Sequence, residues 1–259
     1  MRLAVCQMTI VWEDKRENYK KAEQFCEKAG ELGVDLICFP EMSFTGFSMN
    51  TKKTAEENNE TISLMQEYAQ KYDLAVGFGW TKKTEGKAEN HYTVVTGEKI
   101  CGDYIKMHPF SYSGENLYFQ GGSTPCILEL DGLKIGLSVC YDLRFPELYQ
   151  YLSEKAELIL VPANWPESRS LHWKTLLQAR AVETQSYIAG INCYGNVGQL
   201  YYSGDSCVIH PGGEIVCGYL EKEELQICDI GNDVKAYRKS FPVRRDRKPQ
   251  LYVKFYREE

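Results

Sequence analysis

The chain has 259 residues, 43% of them hydrophobic, and a net charge of −6. That length can bury a substantial core, and the apolar content excludes a fibrous or disordered chain. The negative charge argues against nucleic acid or an anionic membrane as a whole-surface partner, and no run of about 18 apolar residues is present to span a bilayer.

In chain order, residues 3–8 form an apolar strand that begins at once; MRLAVCQMTIVW is too short and too interrupted for a signal peptide. Residues 15–32 follow as an amphipathic helix, with Ala22, Phe25, Cys26, Ala29 and Leu32 at helical spacing. VDLICFP is a buried strand, and residues 54–72 make a second helix on Ala55, Ile62, Met65, Tyr68, Ala69 and Tyr72. The period then changes: LAVGFGW, HYTVVTG and KICGDYIKM read as strands, with a hairpin turn at Thr96-Gly97. ILELDGLKIGLSVC carries Asp131-Gly132, a strong hairpin signal. FPELYQYLSEKA is a helix with Pro146 in its first turn. LILVPAN is a strand, HWKTLLQARAVETQSY a helix, and IAGINCYG and SCVIHPGGEIVCG are strands, the latter turning at Gly212-Gly213.

No repeat, linker or low-complexity segment divides the chain, so residues 1–259 read as one α/β domain whose sheets carry helices on their outer faces. The basic run Arg244, Arg245, Arg247 and Lys248, broken by Asp246, reads as a solvated loop. Ten cysteines occur without a C-x-x-C pair, several inside apolar runs (Cys6, Cys38, Cys193, Cys207). Buried thiols of a cytoplasmic protein account for them better than disulfides or zinc ligands, and no metal site or cofactor is expected.

Three polar residues sit at the ends of apolar strands, where α/β folds place functional side chains: Glu41 after DLICFP, Lys106 after CGDYI and Cys140 after KIGLSV. Each alone has an ordinary structural reading. Together they suggest a nucleophile, a base and a cation. Cys140 precedes a sharp turn opening a helix, where free backbone N–H groups and the positive end of the helix dipole favour a thiolate and an oxyanion.

FPEMSFTGF, YIKMHPF and SVCYDLRFPELY resemble the three signature blocks of the nitrilase, or carbon–nitrogen hydrolase, superfamily, in the family's order of Glu, Lys, Cys. The similarity runs to about residue 252, through GINCYG, GDSCVIHPGGEIV and FPVRRDRKPQLY. It implies a four-layer αββα sandwich assembled as a homodimer. It also implies that Cys140 forms a thioester with the substrate carbonyl, that Glu41 moves protons, and that Lys106 and the backbone N–H of Tyr141 hold the oxyanion. The resemblance further implies a second, substrate-positioning glutamate at Glu115, for which a solvated loop acid is the other reading. Residues 115–121, ENLYFQG, also match the recognition sequence of a plant-virus protease used to remove tags, so both a native and an engineered origin are open.

Asn-Trp-Pro after the LILVP strand, with Arg169 and His172-Trp173 beyond it, resembles the bacterial ω-amidase branch, which cleaves the side-chain amide of short 2-oxo dicarboxylate monoamides. CYDLRFP is shared with amidases of deaminated glutathione, so that substrate, or another small amide or carbamoyl amine, is the alternative. Arg144 and Arg169 are the candidates to bind a substrate carboxylate; a structural salt bridge with Asp142 or Glu147 is the other reading of Arg144. Trp165 and Phe44 are candidates for an apolar wall, with a place in the core as the other reading of each, and His108, His172 and Ser206 are assigned structural roles. The rival readings are a Cys–His hydrolase with His108 or His172 as base, and an interaction protein of this fold without activity.

Overall fold

The computed structural model describes residues 1–219 and 221–257. Its first half runs β1 (Arg2–Gln7), α1 (Lys15–Glu31), β2 (Leu36–Cys38), α2 (Thr51–Thr54), α3 (Glu60–Tyr72), β3 (Ala75–Lys82), β4 (Ala88–Val95) and β5 (Ile100–Ile105). After α4 (Glu115–Tyr118) and β6 (Phe119–Gln120) come β7 (Cys126–Leu130), β8 (Leu133–Leu137), α5 (Pro146–Leu152), β9 (Leu158–Ala163), α6 (Ser170–Thr184) and β10 (Tyr187–Asn192). The chain closes with β11 (Tyr194–Val197), β12 (Leu200–Ser203), β13 (Cys207–Ile209), β14 (Ile215–Gly218), β15 (Glu224–Asp229), α7 (Val234–Ser240) and α8 (Pro249–Phe255).

Among the described residues two large sheets result, ordered β15-β1-β2-β3-β4-β5 (with β6 beside β4) and β14-β13-β10-β9-β8-β7, beside a small two-stranded sheet of β11 and β12. Strand alternation sorts β1 between two cores: Leu3 and Val5 join residues of the second sheet, whereas Ala4 and Cys6 pack outward with Ala22, Cys26 and Ala29 of α1 and Met65 and Ala69 of α3. Leu148 and Leu152 of α5 and Trp173, Leu177 and Ala181 of α6 cover the second sheet. The layers are therefore helix, sheet, sheet, helix, as expected. In each sheet a parallel trio, β1-β2-β3 or β8-β9-β10, is joined through covering helices, so the carboxyl ends of β2, β8 and β9 open toward one site.

Most predicted elements are present, with local differences. α1 is capped by Asp14, whose side chain accepts from the Glu17 N–H at 3.1 Å; Leu32 lies past the helix end and is exposed. The helix expected over 54–72 is broken. Ala55 ends α2 in extended geometry, Glu56 hydrogen-bonds to the backbone of Thr81, and Asn59 enters the left-handed region, tolerable for asparagine, before α3 begins. The basic run is not simply solvated. Arg244 donates to the Thr184 carbonyl at the end of α6 (3.0 Å), and Arg244 and Arg247 pair with Glu154 at 2.9 and 3.2 Å. Cations there meet carbonyls that the helix leaves unpaired. No helix among the described residues is long and apolar enough to cross a membrane.

Candidate active site

Glu41, Lys106 and Cys140 converge from the two sheets. Beyond β2 the chain turns sharply, with Met42 at φ 42° and Gly79 of β3 directly beneath. A Cβ on Gly79 would stand 2.3 Å from the Met42 nitrogen, so only glycine lets the Glu41 turn lie on β3. Ser43 secures the contact, its N–H donating to the Gly79 carbonyl and its hydroxyl accepting from the Gly79 N–H. Cys140 itself has φ 48°, a left-handed conformation that costs a non-glycine residue energy and that the surrounding structure must hold.

The acid–base cluster is fully buried. Lys106 Nζ donates to Glu41 Oε1 at 2.9 Å and to both Glu115 oxygens at 3.0 and 2.8 Å. Asn90 Nδ2 donates to Glu41 Oε1 at 2.9 Å and to Glu115 Oε1 at 3.2 Å. Glu41 Oε2 accepts from the Asn164 N–H at 3.0 Å, and Asn164 Nδ2 donates to the Glu41 carbonyl at 2.6 Å. Glu115 Oε2 also accepts the Phe110 N–H. Burial, the largest influence on Lys106, works to discharge it, but Glu115 and Glu41 outweigh that and hold it firmly protonated. Burial and then Glu41 raise Glu115 above the ordinary carboxyl range, against the opposing pull of Lys106.

Burial, followed by the neighbouring Glu41 carboxylate, pushes the Cys140 thiol well above its usual range, with Lys106 opposing. Burial thus works against the thiolate that the turn after Cys140 was expected to favour. The turn that follows Cys140 is a short 3-10 segment, Cys140–Arg144, and α5 begins only at Pro146, so little helix dipole offsets the desolvation. A thiol in this setting needs a proton acceptor, and Glu41 stands beside it.

Asp142, buried, ties the lysine segment to the cysteine segment. It accepts from the Val139 and His108 N–H groups, from Tyr104 and from His108 Nδ1 (2.7 Å). His108 is thereby turned to Asp142 and stacked on Phe145 at 3.9 Å. His172 contacts Arg144. Neither histidine meets Cys140, which leaves the Cys–His arrangement without geometry. Ser206 bonds the backbone of Asn192 and Gln7 Oε1, a structural part.

Above Cys140 lies a cavity of about 130 Å3 walled by Phe47, Phe110, Tyr141, Trp165, Tyr202 and the two arginines. Arg144 lies over the Trp165 ring at 4.9 Å, and its Nη2 donates to His172 Nδ1 at 3.2 Å; Arg169 lies over Phe110 at 5.3 Å. No described carboxylate pairs with either one, so the Arg144 salt bridge to Asp142 or Glu147 is not made. Of the two readings of Phe44, the structure takes the core one: it packs in the outer core against Tyr19 and Phe78, and Phe47 lines the cavity instead. Sequence reasoning missed Asn90, Asn164 and Asp142. Asn164 follows the LILVPA strand directly, the same strand-end signal that marked Glu41. Asn90 lies inside β4, where a buried amide must have partners.

The ENLYFQG segment is part of this site. Glu115 is buried on Lys106, Phe119 packs with Met42 and Ala88, and β6 pairs with β4 in register Ala88 with Phe119 and Glu89 with Gln120.

A family profile described as carbon–nitrogen hydrolase matches residues 2–239. The chain is a carbon–nitrogen hydrolase. This hydrolase is 34% identical over 250 residues to "Omega-amidase YafV" of Escherichia coli strain K12, covering 95% of this chain and 96% of that one. It is 32% identical to the "2-oxoglutaramate amidase" of Bacillus subtilis (96% and 98% covered) and 32% identical to the "Deaminated glutathione amidase" of a Synechocystis species (87% and 90%). Among solved structures it superposes on XC1258 of Xanthomonas campestris, a CN-hydrolase superfamily protein with an arsenic adduct in its active site, with TM-score 0.90 and 29% identity over 96% of this chain and 97% of that one.

Proposed function

We propose that this hydrolase cleaves the terminal amide of a short 2-oxo dicarboxylate monoamide through a Cys140 thioester, releasing ammonia. The Cys140 thiol gives its proton to Glu41 as sulfur attacks the amide carbon. Lys106 and the Tyr141 N–H hold the resulting oxyanion, a contribution of about 3 to 4 kcal/mol by comparison with other oxyanion holes. Glu41 returns the proton to the departing ammonia. It then takes one from water as the water attacks the thioester, and the thiol and the free carboxylate are regenerated. Glu115 holds Lys106 from the far side and positions the amide.

The observation that carries the substrate class is the pair of arginines at the mouth of a small aromatic cavity, without carboxylate partners among the described residues. Guanidinium groups free of internal ion pairs fit a substrate with an anionic tail, and the cavity's size favours a short one. The names of the bacterial ω-amidase and 2-oxoglutaramate amidase relatives support the same class. The test is kcat/KM for 2-oxoglutaramate against its neutral ester, deaminated glutathione, a carbamoyl amine and a nitrile. Charge-assisted hydrogen bonds of about 1.5 to 3 kcal/mol give the anion a preference of about tenfold to a hundredfold over the neutral analogue. Preference for deaminated glutathione overturns the substrate; preference for the carbamoyl amine or nitrile overturns the arginine argument as well.

A further inference from the structure

Asn90 lies at the centre of the buried cluster yet does not itself line the cavity. Its Nδ2 is bonded to Glu41 Oε1 and Glu115 Oε1, the same two oxygens that Lys106 Nζ contacts at 2.9 and 3.0 Å. Its backbone carbonyl accepts the Lys106 N–H at 2.8 Å. The amide can face only one way. Turned over, it would set its own oxygen against two carboxylate oxygens. The orientation it keeps leaves Oδ1 buried with no donor among the described residues, a desolvation cost that only a compensating role for Nδ2 offsets.

The lone pairs of Glu41 give that role a specific form. A carboxylate oxygen accepts about two strong hydrogen bonds. Oε1 has two, from Lys106 and Asn90, and is saturated. Oε2 has one backbone donor, the Asn164 N–H, which leaves a lone pair for the Cys140 side chain, itself within hydrogen-bond reach of Glu41.

We propose that Asn90 is a positioning residue that, with Lys106, saturates Glu41 Oε1 and so makes Oε2 the oxygen that takes and returns the proton of Cys140, of the leaving ammonia and of water. It also bridges the two like-charged carboxylates through one neutral donor, which holds them together on a single ammonium group. The proposal rests on Glu41 being the proton carrier.

The test uses Asn90→Asp and Asn90→Ala beside Glu41→Gln. Asn90→Asp keeps shape but replaces a donor with a third carboxylate, whereas Asn90→Ala removes the donor without adding charge. Expected at pH 8 is a kcat lower by about tenfold in Asn90→Ala and lower still in Asn90→Asp, with KM within about threefold of the parent, the tenfold loss corresponding to about 1.4 kcal/mol. As pH falls toward 5.5, Asn90→Asp should recover relative to the parent, because its protonated carboxyl again offers one O–H donor; Asn90→Ala should not. Melting temperature and the pH profile of iodoacetamide alkylation of Cys140 are measured on each variant, so that a poorly active but folded enzyme still reports the cluster. An Asn90→Asp enzyme as active as the parent, or equal losses in both variants with unchanged pH profiles, overturns the inference and leaves Asn90 a filler of space. Full turnover by Glu41→Gln would instead overturn the reading of Glu41.

Discussion

The floor and the rim of the cavity are built on opposite principles. On the floor, Glu41, Lys106, Glu115 and Asn90 are almost wholly buried, and every charged atom has a partner within 3.2 Å. At the rim, Arg144 and Arg169 are half-exposed and rest on aromatic faces, with no carboxylate of their own among the described residues. Proton transfer needs groups held in fixed positions, and a low-dielectric floor strengthens each contact while forbidding any unpaired charge. Binding an anion needs the reverse: cations whose strongest partner is still to arrive. The floor should therefore fail abruptly when altered, and the rim gradually and only for certain substrates.

The largest effect is expected at Cys140. Cys140→Ser is nearly isosteric, so the fold should persist while turnover falls more than about a hundredfold, since a hydroxyl beside Glu41 is a far weaker nucleophile than sulfur. Steady-state kinetics with circular dichroism on the same sample checks both halves; substantial residual turnover would remove Cys140 from the mechanism.

Lys106→Met should damage both rate and stability. Loss of an oxyanion donor costs about 10² to 10³ in kcat, and removing the cation strands two buried carboxylates, at a cost of about 3 to 5 kcal/mol. Glu115 is already raised by burial, and without Lys106 its folded-state pKa rises further. A carboxyl with a raised folded-state pKa is more protonated when folded, so the lost stability should grow as pH rises and partly return in acid. Denaturant titrations at pH 5.5 and 8 compare the two, and a deficit independent of pH would contradict the charge balance described for the floor.

At the rim, Arg144→Ala and Arg169→Ala should each raise KM for an anionic amide by about tenfold, the worth of one charge-assisted contact, while kcat and the rate on a neutral amide change little. Equal losses on both substrates would move the arginines from recognition to architecture.

The smallest expected effect is none. The protease that recognises ENLYFQG binds extended chain, but here Glu115–Tyr118 is a helical turn and Phe119–Gln120 is paired to β4. The folded enzyme should stay intact during incubation and the urea-unfolded chain should be cut. Cleavage of the folded enzyme with activity retained would separate this segment from the floor.

The sequence alone settled what depends on local pattern. Alternation of apolar and polar residues located the strands, Asp131-Gly132 located a turn in which both residues have positive φ, and three polar residues at strand ends proved to be neighbours in the fold. It erred where a segment's partner lay far along the chain. The 54–72 stretch has helical spacing throughout, but pairing of Glu56 with the end of β3 outcompetes one turn of helix. Phe44 and Phe47 are equally apolar in sequence, and only the Met42 turn decides which faces Tyr19 and which faces the cavity. The state of the Cys140 thiol likewise follows from burial and from a carboxylate 99 positions away, quantities that no local pattern carries. Asn90 is the sharpest case: its backbone position follows from strand periodicity, but the reason for an amide there appears only when Glu41, Lys106 and Glu115, from three other segments, close around it, because hydrogen-bond satisfaction in a dry interior is a property of the assembled structure.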